Sequence, residues 1–129
     1  MADPLDELLL DADEVDRAQL AQALKGILGI DQKSGRVVLK PGFNDLDTKH
    51  KVLAFLLGAK VAHLLGVAET EAVAPKELEK QTGMPHGTVA PKLGQLMDDK
   101  LIAKTPQGGY HVAPHQVGRA SDAIRRDVS

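Results

Sequence analysis

The sequence predicts a mainly α fold with one small β-hairpin near its C-terminal end. Three observations predict it. Apolar residues recur at helical spacing in several separate stretches. Glycine or proline stands at most of the boundaries between those stretches. The stretch Leu101–Val112, two short apolar runs around Gly108-Gly109, has the form of a hairpin.

The bulk numbers fit such a domain. At 129 residues and 13.8 kDa the chain makes one domain with room for an appended helical arm. Hydrophobic residues make up 43% and aromatics only 2%, so the core is built from Leu, Val, Ile and Ala. Scarce aromatics also argue against a base-stacking surface for single-stranded nucleic acid. Without cysteine there is no disulfide, no thiolate metal site and no Cys nucleophile, which fits a reducing compartment. The acidic start Met1-Ala2-Asp3-Pro4 is unlike a secretory signal, and no apolar run reaches membrane-spanning length, so a cytoplasmic protein is expected. The net charge of −2 is unevenly spread. Residues 1–31 hold eight acids against Arg17 and Lys25, whereas the remaining chain holds fourteen Lys/Arg against ten Asp/Glu. The division that follows is an acidic helical arm over 1–31, for dimerisation or docking, and a body over 32–129.

Element by element, residues 5–28 read as a helix, or as two helices with a break near Asp11–Glu14. Leu5, Leu8 and Leu9 share one face, Leu20, Leu24, Ile27 and Leu28 repeat at i, i+4, i+7, i+8, and Gly29 is the stop. Gln32–Gly35 reads as a turn and Arg36–Lys40 as a short strand closed by Pro41-Gly42. Asp45 or Asp47 caps a long helix from Thr48 to Leu65, ended by Gly66 and apolar around much of its circumference. His63, within it, is expected to be a packed, hydrogen-bonded core histidine. Val73 to Glu79 begins a short helix with Pro75 at its first position and Val73–Leu78 at staple spacing, though Ala74 offers no capping oxygen. After Gly83 comes a helix over 86–99 with Val89, Leu93, Leu96 and Met97 on one face. Leu101–Lys104 and Tyr110–Val112 are the hairpin strands. A last helix over 116–126 brings Val117, Ala120 and Ile124 together.

This order of elements resembles the winged helix-turn-helix superfamily of small DNA-binding regulators. The matching stretch runs from Glu69 to Val112, and its most specific piece is Gly83-Met84-Pro85-His86-Gly87-Thr88-Val89 followed by Leu93, Leu96 and Leu101-Ile102. The resemblance implies a mainly α fold with a small β-wing and an added acidic N-terminal arm. In that frame the helix 48–65 comes first and Val73 is a small extra strand pairing with the wing. The segment 36–40 lies outside the pattern. The resemblance further implies that the helix 86–99 enters the major groove and the wing straddles phosphates. His86, Thr88, Lys92 and Gln95 are then the groove-side residues, and Lys104, Gln107 and Tyr110 the backbone contacts. Gly108 and Gly109 would let the tip approach the duplex closely.

The residues also carry a departure from that pattern. At 100° per residue, the face opposite Val89, Leu93, Leu96 and Met97 holds Gly87, Pro91, Gly94 and Asp98. Only Thr88, Lys92 and Gln95 on its shoulder can bond bases or phosphates, and Asp98 and Asp99 would repel phosphate if they came near it. Two functions follow. One is a dimeric transcriptional regulator reading duplex DNA, with Arg119, Arg125 and Arg126 as possible further phosphate contacts. The other is a protein-interaction module that docks a protein or ribonucleoprotein through its acidic arm and small-residue helix face.

Enzymatic chemistry has no support in the motifs. There is no Gly-rich phosphate loop, no His-Glu-x-x-His and no nucleophile elbow. Asp98 and Asp99 are adjacent and diverge on a helix, so they make no acid–base pair. His111 and His115 are separated by Pro114, which works against a shared helical face. No cofactor and no metal is expected.

Overall fold

A computed structural model describes residues 3–8 and 14–128 of the chain. The described residues form five α-helices and two separate two-stranded antiparallel sheets. Mainly α with small β elements is therefore the correct class.

The N-terminal third departs most from expectation. Pro4–Leu8 makes a 3-10 turn, and the first α-helix, α1, spans only Arg17–Leu24. Its cap is Asp16, whose carboxylate accepts from the Gln19 N–H at 2.9 Å. The single helix expected over 5–28 is thus corrected; Leu9 and the break expected near Asp11 lie outside the described residues. Gly26 ends the helical path, because it adopts φ +79°, which is open to glycine at little cost. Ile27 and Leu28 are buried as their spacing required, but from a turn and a strand.

That strand is β1, Leu28–Ile30, and it pairs with β2, Val37–Leu39, in the register Leu28↔Leu39, Gly29↔Val38 and Ile30↔Val37. Gly29, expected as a helix stop, is a strand residue. Asp31 fixes the connecting turn by accepting from the Ser34 hydroxyl and from its N–H at 3.0 Å. The Ser34 hydroxyl is the largest influence holding the Asp31 carboxyl below its ordinary range. The segment 36–40 thereby finds its partner within the chain, and residue 31 falls inside this hairpin.

The long helix α2, Thr48–Leu64, forms the centre. Asp47 caps it, accepting from the His50 N–H at 2.8 Å. Val52 through Gly58 are consecutively buried, as a helix covered on nearly all sides requires. The hairpin lies directly on it at Gly58, where a side-chain methyl would stand 3.1 Å from both Leu28 Cδ2 and Val37 Cγ2. His63 corrects another expectation. It is exposed near the end of α2 rather than packed in the core, with Nδ1 3.2 Å from the Ala68 carbonyl.

Two shorter helices follow, α3 (Pro75–Thr82) and α4 (His86–Asp98), joined through Gly83 at φ +75°. Ala74 makes no side-chain cap, as its chemistry dictates, while Val73 and Leu78 are both buried. α4 turns Val89, Leu93 and Leu96 inward. The second hairpin pairs β3 (Ala103–Lys104) with β4 (Tyr110–His111), each shorter than its expected strand. Val73 bridges to Tyr110, as foreseen for that residue. Finally a 3-10 turn at Pro114–Gln116 leads into α5, Val117–Val128, which buries Val117, Ala120 and Ile124. α5 packs on α1 and α2, and α2 also packs on α4. No helix among the described residues is long and apolar enough to cross a membrane.

Candidate functional site

The residues singled out in sequence fall into two groups. On α4, Thr88, Lys92 and Gln95 stand at i, i+4, i+7 and so share one side of the helix. Gln95 is exposed, while Thr88 and Lys92 are half-buried at the edge of the apolar contact. His86 occupies the first turn, exposed, with Nδ1 3.0 Å from Glu79 Oε2 on α3. The second group is the hairpin. Lys104 and Gln107 are exposed, and the Lys104 ammonium stands 6.0 Å from the centre of the Tyr110 ring. No hydrogen bond or ion pair among the described residues links the α4 group to the hairpin group.

Two candidates take on different roles from those assigned. Gly109 is buried, and a methyl there would stand 3.2 Å from Ala72 Cβ and 3.4 Å from the Val73 backbone. Its small size serves the packing of β4 against the Val73 segment, not the approach of an external molecule. Tyr110 is half-buried and its backbone belongs to the same pairing. Gly108 alone keeps the expected character, exposed at φ +93° with open space where a side chain would point.

The outer face of α4 is composed as its helical projection requires. Gly87, Ala90, Pro91, Gly94 and Asp98 are all exposed. Beyond the adjoining residues and backbone of α4 itself, neither Gly87 nor Gly94 has an atom within 4 Å of where a side-chain methyl would sit. The fold therefore gives no packing reason for glycine at either position. Of the nearby acids, Asp99 is ion-paired with Lys49 and Glu79 lies against His86, so each has a cation or potential cation beside it.

Sequence reasoning missed two polar clusters. Lys60, on the apolar helix α2, is 3% exposed, with its ammonium 2.8 Å from Glu71 Oε2. That distance gives strong Coulomb attraction, although the oxygen lacks the angular geometry of a directed hydrogen bond. His111 Nδ1 on β4 lies 3.6 Å from the same oxygen. Far-apart sequence positions hide such a cluster; its one linear signal is a lysine among Leu57, Gly58, Ala59, Val61 and Ala62.

The second cluster joins the start of α2 to the end of α5. Ligand-type atoms of Asp47, His50 and Asp127 lie within 4.8 Å of one another. Hydrogen bonds account for this geometry: Asp47 Oδ1 is 2.7 Å from His50 Nδ1, and Asp127 Oδ2 accepts from the Asp47 N–H at 3.2 Å. Burial pushes the Asp47 carboxyl up. The His50 backbone and ring and Asp127 outweigh it, leaving Asp47 below its ordinary range.

Comparison with protein-family models, curated proteins and solved structures finds no match to this chain.

Proposed function

We propose that the chain is a DNA-binding protein of the winged-helix type. In this reading α4 enters the major groove of a duplex, and the β3–β4 hairpin contacts the phosphates beside it. The observation that carries it is the pairing of Val73, the residue two before α3, with Tyr110 on β4. That pairing closes a loop in which a helix, a glycine turn, a second helix and a hairpin form one unit. Such a unit supports α4 from behind and leaves its outer side uncovered. Lys92 and Lys104 supply phosphate contacts, and Thr88 and Gln95 supply hydrogen bonds to base edges. Regulation of transcription is the role this binding would serve. The reading includes no catalytic step.

A second reading is favoured by one observation, the Gly87–Ala90–Pro91–Gly94 surface on α4. A face of small, uncharged groups suits close contact with the surface of a protein or ribonucleoprotein as well as with DNA.

Fluorescence anisotropy of a labelled duplex, titrated with the full chain across a salt series, separates the two. DNA binding predicts affinity that falls steeply with salt, and Lys92→Ala or Lys104→Ala should each weaken binding and reduce the salt slope by about one. Absence of binding at low salt would overturn the DNA reading in favour of the second.

A further inference from the structure

An apolar groove of about 310 Å³ runs between α1 and α2, lined by Leu20, Ala21, Val61, Leu64 and Leu65 with Arg17 at its edge. Leu65 is 58% exposed there. The Arg17 guanidinium reaches the Leu64 carbonyl at 3.4 Å and has no carboxylate partner among the described residues. Among the described residues the groove is thus an uncovered apolar surface with the Arg17 cation at its rim.

The same chain presents a surface of opposite character. In the 3-10 turn Pro4–Leu8, Leu5 and Leu8 are 67% and 74% exposed. A 3-10 helix has three residues per turn, so residues i and i+3 eclipse and both leucines project from one side. Asp3 and Asp6 flank them, and Asp3 folds back to accept from the Leu5 N–H at 2.9 Å. A paired-leucine knob with acidic flanks matches an apolar groove with a basic rim, in shape class and in charge.

Among the described residues of one chain, both surfaces stand uncovered together. We propose that they cover each other between two copies: residues 3–8 of each copy seat Leu5 and Leu8 in the α1–α2 groove of the other, with their acids beside Arg17. The arrangement is a reciprocal exchange about a two-fold axis, closed and limited to two chains. It stands independently of whether the chain binds DNA.

The test is sedimentation equilibrium of the full chain at micromolar concentrations. Wild type should show twice the 13.8 kDa of a single chain. Leu5→Asp/Leu8→Asp removes the knob, and Leu65→Asp spoils the groove. All three positions are exposed, so circular dichroism should match wild type, and any loss in melting temperature should grow with protein concentration as loss of a dimer requires, while each variant sediments as a single chain. Mixing the two variants is the decisive arm. Each retains what the other lacks, so one intact junction remains and a mixed dimer should form, more weakly than wild type. A monomeric wild type would overturn the proposal, whether the segment stays free or folds onto its own groove. So would a dimer indifferent to these substitutions, or variants that fail to complement when mixed.

Discussion

Val73 and Tyr110 exchange both backbone hydrogen bonds, at 2.9 Å in one direction and 2.8 Å in the other. This single bridge attaches the residue ahead of α3 to β4, and Gly109 is what lets the two backbones come together. Gly109→Ala forces Ala72 and Val73 apart and should destabilise the fold by about 1 kcal/mol, as overpacking does. Chemical denaturation measures it, and an unchanged midpoint would mean the segment yields freely.

Gly94 should behave in the opposite sense. With open space around it, Gly94→Ala gains helix propensity and should stabilise the protein by about 0.5–1 kcal/mol. If α4 lies close against DNA, the same methyl should weaken duplex binding. Stability and anisotropy measured on one variant therefore report separately on the fold and on the proposed contact.

The buried Lys60–Glu71 pair predicts an asymmetry between single and double substitutions. Glu71→Ala strands an ammonium in the core and should cost about 3 kcal/mol, the lower end of the usual range because Glu71 keeps some water contact. Replacing both by Met and Leu should return stability to within about 1 kcal/mol of wild type. A denaturation series over the singles and the double decides it; additive losses would show that the pair is not coupled.

Gln116 is buried with every polar atom engaged. Its carbonyl accepts from the Ala113 N–H at 3.0 Å, and its amide donates to the Lys100 and Ile102 carbonyls at 3.2 and 3.1 Å. Gln116→Leu fills similar space but orphans those groups, and should cost about 2–3 kcal/mol. Amide exchange at Ala113 should rise in the same variant.

Asp47 links stability to acid. Its folded-state carboxyl is lowered, so its contribution is fully present above the unfolded carboxyl pKa of about 3.9 and fades as pH falls through the lower folded value. Asp47→Asn keeps a capping oxygen without the charge. The stability gap between wild type and Asp47→Asn should shrink below about pH 4. Denaturant midpoints across that range test it, and a gap independent of pH would show the charge to be immaterial.

These features differ in how far the sequence exposes them. α2, α3 and α4 were legible because each has a local boundary signal: Asp47 and Gly66, Pro75 and Gly83, His86 after Pro85. The exchange of helix for strand at Ile27 and Leu28 was not. Leu20, Leu24, Ile27 and Leu28 satisfy a helical period, yet a helix, a turn at Gly26 and a strand bury the same four side chains. Only the pairing with Val37–Leu39 decides between them, and pairing is non-local. The α4 candidates followed from projecting a helix, whereas Gly108 and Gly109 are identical in sequence and opposite in environment. His63 went astray because a helix covered along most of its length reveals little about where the cover stops.

The contact between α1 and α5 sets an order of events. Gln19 donates to the Gly118 carbonyl at 3.3 Å and to the Asp122 carboxylate at 2.9 Å, partners about a hundred residues further along. An eight-residue helix is marginal by itself in water. During synthesis at about 5–20 residues per second, α1 therefore waits roughly 5–20 s for the helix that Gln19 bonds to. A helix synthesised early is thus secured only by one synthesised about a hundred residues later.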